Sequence, residues 1–144
     1  MDCGLALKFI GDGAYRHTYH ILGTNLVIKF PKLLDEGPSE YNIKHAKEEF
    51  QVVSKILRSK ARRYQSIKKH MPRIYYCDHH GVTISSRYKL LPMASGEKHR
   101  NRLSNYVCNI LKVFDGDINN GGNVGVDGRG TLKILDGGLL GDQW

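Results

Sequence analysis

No run in this 144-residue chain approaches the ~20 consecutive apolar residues that a membrane span requires. Cysteine is scarce as well: Cys3, Cys77 and Cys108 are too few, and odd in number, for a disulfide framework, which points to a reducing cytosol. There is no low-complexity tract and no internal repeat, which excludes a solenoid. The opening residues carry only a brief apolar run before Lys8, without the charged leader of a secretory signal. These absences lead to the expectation of a soluble cytoplasmic protein with no membrane partner. Negative charge is also in short supply. Against 22 Lys and Arg stand 14 Asp and Glu, a formal charge of +8. Such an excess favours anionic partners, whether nucleotide phosphates, nucleic acid, acidic protein surfaces or anionic lipid, without choosing among them.

At this length the chain is one domain with a core large enough to fold unaided. Residues 5–10, 15–22 and 26–30 read as three strands of an antiparallel meander, with a glycine loop at Gly11-Asp12-Gly13 and a stop at Pro31. Pro38-Ser39-Glu40 resembles a helix start. From Tyr41 to about Lys60, Ile43, Ala46, Phe50, Val53, Ile56 and Leu57 recur at helical spacing. Positive charge then accumulates from Arg58 to His70, which reads as a solvated helix end or, as the alternative, a surface for nucleic acid or an acidic partner. Residues 72–77 and 82–91 suggest two more strands around the turn Asp78-His79-His80-Gly81. Cys77, Asp78, His79 and His80 are metal-capable, but neighbours on a tight turn point apart and no second pair supports a zinc site. A helix is expected from about Glu97 to Val113, burying Leu103, Val107, Ile110, Leu111 and Phe114, with Cys108 as a core filler.

The chemistry concentrates at the two ends. Glycines at 11 and 13 let backbone N–H groups approach an anion that a β-carbon would hold away. Lys29 places an ammonium in the otherwise apolar strand Val27-Ile28-Lys29, where burial demands a partner. Glu49, at core spacing with Val52, Val53 and Ile56, is the carboxylate best placed to serve, with Glu48 as the fallback. A lysine so fixed can hold the α- and β-phosphates of a nucleotide. Near the C-terminus, Asp127-Gly128-Arg129-Gly130 between Val124–Val126 and Thr131–Leu135 signals a hairpin. A hairpin returns its ends to one sheet edge, so Asn123 and Asp136 are expected side by side. Their oxygens are hard ligands of the kind Mg²⁺ takes when phosphates also hold it.

This order of parts resembles the protein-kinase-like superfamily shared by protein kinases and small-molecule phosphotransferases. Gly-Asp-Ile-Asn-Asn-Gly-Gly-Asn-Val at 116–124 is similar to the catalytic loop of aminoglycoside and choline kinases, and Leu135-Asp136-Gly137-Gly138 to the Asp-Phe-Gly region. The resemblance runs from about Leu5 to the C-terminus. It implies an α+β fold with an N-terminal lobe over 1–92, holding an antiparallel sheet of about five strands and one helix. A shortened second lobe over 93–144 would hold one helix, the catalytic loop and the hairpin. It further implies ATP and Mg²⁺ as ligands, Gly11, Gly13 and Lys29 at the nucleotide, Glu49 as partner of Lys29, Asp117 as catalytic base, and Asn123 and Asp136 on the metal. The implied reaction is transfer of the γ-phosphoryl group to a hydroxyl on a protein.

The sequence departs from the family pattern in several places. Asp117 and Asn123 are six positions apart where the family has five; Asp115 and Asn120 have the family spacing, but Asn123 abuts the strand. Asp115 replaces a common His, Arg16 stands at the third glycine, and Gly137 follows Asp136 in place of Phe. Leu139 to Trp144 leave no room for a peptide-holding platform, as in the abbreviated kinases of bacteriophages and bacterial effectors. The alternative is therefore a pseudokinase-like module that engages a host protein through its basic surface.

Overall fold

The computed structural model describes residues 4–12, 15–34, 37–92, 95–111 and 123–135. Among them are a five-stranded antiparallel sheet and two helices, an α+β architecture. The chain forms two compact units, Met1–Lys47 with Arg73–Arg87, and Glu48–Pro72 with Tyr88–Trp144.

In the first unit, β1 (Leu7–Asp12), β2 (Arg16–Ile21) and β3 (Leu26–Pro31) form the expected meander. Thr24 organises the β2–β3 turn. Its hydroxyl donates to the Ile21 carbonyl at 2.7 Å, and Gly23 takes the left-handed conformation at φ 81°. A two-stranded ribbon, β4 (Leu33–Leu34) with β5 (Gly37–Pro38), follows and was not foreseen. The chain then enters α1 (Glu40–Arg58) through a Ser39 cap, whose hydroxyl accepts from the Asn42 N–H at 3.2 Å. Beyond the helix, β6 (Ile74–Cys77) and β7 (Thr83–Ser86) complete the sheet in the order β1-β2-β3-β7-β6, all antiparallel.

The β6–β7 turn is built on Asp78. Its Oδ1 accepts from the N–H groups of His80 and Val82 at 2.9 and 3.0 Å, and Gly81 closes it at φ 77°. A β-carbon on Gly81 would lie 2.9 Å from Pro31 Cγ and 3.1 Å from Ile43 Cα, so glycine is required there for space as well as for φ. That close approach seats the first turns of α1 against the end of β3.

The expected strand over 82–91 is two strands. After Ser86 the chain leaves the large sheet, and β8 (Lys89–Leu90) pairs instead with β9 (Val124–Val126) in the second unit. There β10 (Leu132–Ile134) completes a second sheet in the order β10-β9-β8. Helix α2 (Glu97–Leu111) buries Leu103, Val107, Cys108 and Leu111 as expected; Ile110 is half-buried, and Phe114 lies outside the described residues.

The helix expected to reach Lys60 ends at Arg58, and Leu57, expected inside, is 43% exposed. The buried stripe keeps the expected Ala46, Glu49, Val52, Val53 and Ile56 and adds Asn42 and His45, at steps of three and four residues, while Ile43 and Phe50 are half-buried. Only the start of the basic run is a solvated helix end, with Arg58 exposed in the last turn of α1. The rest folds into two 3-10 turns, Arg62–Tyr64 and Lys68–His70, anchored by buried Tyr64, Ile67 and Met71. Among the described residues no helix is long and apolar enough to cross a membrane.

Candidate functional site

Side chains of directly paired residues share one face of a sheet. Gly11 pairs with Thr18, Thr18 with Lys29, Lys29 with Thr83, and Thr83 with Cys77. One cross-strand row therefore joins Gly11 to Lys29 through a single intervening residue, a separation of roughly 10 Å at the usual strand spacing. Two positions along β2, on the same face, lies Arg16, only 4% exposed. Val27, Thr83 and Ser85 are also buried on this face, whereas the Lys29 side chain is half-buried. The opposite face carries an aromatic ladder: Phe9 meets Tyr19 edge-on at 5.5 Å and Tyr19 meets Phe30 at 5.7 Å.

The glycine loop needs correction. Gly11 and Asp12 are strand residues, because a bulge between Phe9 and Gly11 absorbs Ile10 and lets pairing continue to Asp12 and His17. Gly13 lies outside the described residues. Gly11 has no left-handed φ, and among the described residues a β-carbon there would meet nothing within 4 Å. Neither backbone strain nor packing against the described residues accounts for glycine at that position.

In the second unit Glu49 is 2% exposed on the buried stripe of α1, while Glu48 is half-buried. A carboxylate so deep is tolerated only where donors or a cation meet its charge. The hairpin forms as expected, with Leu132, Lys133 and Ile134 opposite Val126, Gly125 and Val124. One position further, the Leu135 N–H donates to the Asn123 carbonyl at 2.8 Å. Asn123 therefore lies opposite the residue that precedes Asp136 in sequence. Asp117 and Asp136 lie outside the described residues, as do Asp115 and Asn120 of the alternative spacing.

The hairpin turn repeats the Asp78 device. Asp127 Oδ1 accepts from the N–H groups of Arg129 and Thr131, each at 2.9 Å, and Gly130 sits at φ 83°. The Thr131 and Arg129 N–H groups hold the Asp127 carboxyl below its ordinary value. For Asp78, burial works upward but is outweighed by the N–H groups of Val82 and His80 and the Tyr76 hydroxyl, so its carboxyl too lies low. Both carboxylates thus already serve their own turns. Among the described residues no group of three or more His, Cys, Asp or Glu is arranged to hold a metal ion.

Gly125, in the central strand of the small sheet, is buried, and a β-carbon there would lie 2.9 Å from Tyr88 Cβ. This lets β8 lie close against β9. The His70 Nδ1–H donates to the Leu132 carbonyl at 2.8 Å, tying the second 3-10 turn to β10. Burial pushes His70 below its ordinary value; its bond to Leu132 works the other way, and Lys69 and Lys133 add to the lowering.

Sequence reasoning singled out Gly11 and Lys29 but missed Thr18 and Thr83 beside them, and it read Arg16 only as the replacement of a third glycine. Alternation along each strand shows which residues share a face, but only the register shows which of them are neighbours. No model of a known protein family matches the chain, and no curated protein sequence is significantly similar to it.

Proposed function

We propose that the protein is a kinase-like enzyme that binds ATP with Mg²⁺ and transfers the γ-phosphoryl group to a hydroxyl of a protein substrate. The observation that carries this reading is the row from Gly11 to Lys29. A glycine that none of the described residues crowds shares a sheet face with a half-buried ammonium, a combination suited to a polyphosphate. Lys29 holds the α- and β-phosphates, Glu49 is its partner carboxylate, and backbone N–H groups near Gly11 and Gly13 approach the phosphate chain. Asp117 accepts the proton of the attacking hydroxyl, whose oxygen bonds to the γ-phosphorus as the bond to the β–γ bridging oxygen breaks and ADP leaves. Asn123 and Asp136 are hard oxygen donors that suit Mg²⁺, which when bound neutralises the phosphate charge.

The six-residue interval from Asp117 to Asn123 favours a second reading, a kinase-shaped module that engages a host protein and transfers nothing. Incubation with γ-labelled ATP, Mg²⁺ and host-cell extract separates the two. The kinase reading expects protein-bound label that falls at least 100-fold in Asp117→Asn. Nucleotide binding without transfer would leave the module.

A further inference from the structure

We propose that the second unit carries a surface for single-stranded nucleic acid, made of cations from the two 3-10 turns and from α2, with Tyr106 as its stacking platform. From Phe50 to Pro72 the chain has seven Lys and Arg and no Asp or Glu. These cations do not sit on a fraying end. Buried Tyr64, Ile67 and Met71 anchor the turns beneath them, the His70 bond to Leu132 ties the second turn to β10, and Arg63 lies 4.7 Å over the Tyr64 ring. Arg62, Arg63 and Lys69 are nevertheless exposed. Holding like charges this way opposes folding and is offset when a polyanion releases its counterions on binding.

A second basic track converges on the first. Lys98, Arg102 and Tyr106 recur every four residues along α2 and are all exposed, so they form one stripe. Glu97 is the sole acid of that helix. Helix α2 packs against the Arg62–Tyr64 turn, and the Tyr106 ring, 44% exposed, stands edge-on to the His70 ring at 6.4 Å. An exposed ring where two rows of cations meet matches unpaired bases, which stack while their phosphates are neutralised. In a single strand each phosphate is accompanied by a flat base, whereas the carboxylates of an acidic peptide carry no ring of their own. A lipid surface calls for several exposed Leu, Phe or Trp among the cations, whereas from Phe50 to Pro72 Leu57 is the single exposed large apolar side chain and residues 60–69 expose Lys, Ala, Arg, Gln and Ser.

The test is fluorescence anisotropy of a labelled 12-nucleotide single strand, titrated with the whole chain between 50 and 200 mM salt. With roughly four phosphates neutralised, affinity should fall about 50-fold across that range. Replacing Arg62, Arg63, Lys68 and Lys69 together by Gln should weaken binding at 50 mM salt by at least 10-fold and flatten the salt dependence. Tyr106→Ala should weaken it about 5-fold or more without changing the salt dependence, and Tyr106→Phe should restore it. Lys29→Ala should leave it unchanged, which separates this surface from the nucleotide reading. Unchanged circular dichroism and melting midpoint establish that each variant is folded. The proposal is overturned by no binding at 50 mM salt, by indifference to the quadruple substitution, or by indifference to Tyr106→Ala. It is equally overturned if heparin, an acidic peptide or anionic vesicles bind as tightly as the single strand.

Discussion

The Leu135 N–H donates to the Asn123 carbonyl at 2.8 Å, extending the β9–β10 pairing one step past the last strand residue. In the kinase reading Asn123 is a metal ligand. Asn123→Ala should therefore abolish the Mg²⁺-dependent part of nucleotide binding, whereas Asn120→Ala, at the alternative spacing, should leave it intact. The reverse outcome would move the pair to Asp115 and Asn120. The backbone bond to Leu135 does not depend on the Asn123 side chain and should persist in Asn123→Ala.

Gly11 offers a test that separates ligand from fold. With no left-handed φ and no described residue within 4 Å of its β-carbon, Gly11→Ala should leave the melting temperature unchanged or slightly raised. The same substitution should weaken ATP binding at least 10-fold if backbone in this stretch meets phosphate. Unaltered binding would remove Gly11 from the site.

Gly81 and Gly130 set the contrasting case. Both lie at positive φ, but only Gly81 is also crowded, by Pro31 and Ile43. Gly130→Ala should cost about 1 kcal/mol, the penalty of the left-handed region alone. Gly81→Ala should cost about 2 to 3 kcal/mol, because the backbone of α1 cannot yield as a flexible side chain does. Chemical denaturation of both variants checks the order.

These glycines mark how far the sequence could be read. The hairpin at Asp127 and the turn at Asp78 were legible because Asp-x-x-Gly carries its own instructions: a carboxylate that accepts two N–H groups and a glycine that reverses the chain. The split of residues 82–91 between two sheets was not legible, because Thr83–Ser86 and Lys89–Leu90 differ in their partners rather than in their own residue types. The 3-10 turns were hidden by charge. A run so basic reads as solvated, and only burial of Tyr64 and Ile67 shows that it is held. Of the candidate site, the identities of Gly11 and Lys29 were visible in the sequence, but their common row depends on a bulge at Ile10 that no local pattern announces.

His70 should make stability pH-dependent. Its folded value lies below the ordinary 6.5, mainly through burial, so the unfolded chain binds the proton more readily. Stability from this group is therefore complete above pH ~6.5 and is lost as pH falls toward the folded value. Urea denaturation between pH 7.5 and 5 should show a falling midpoint, and His70→Asn should flatten the decline. An equal decline in that variant would assign the effect to other groups.

Calorimetric titration with ATP and Mg²⁺ bears most directly on the nucleotide reading. The wild-type chain should bind one nucleotide, and Lys29→Ala and Asp136→Ala should each abolish binding while the chain stays folded. An absence of binding by the folded wild-type chain up to millimolar nucleotide, or binding that survives both substitutions, would contradict it.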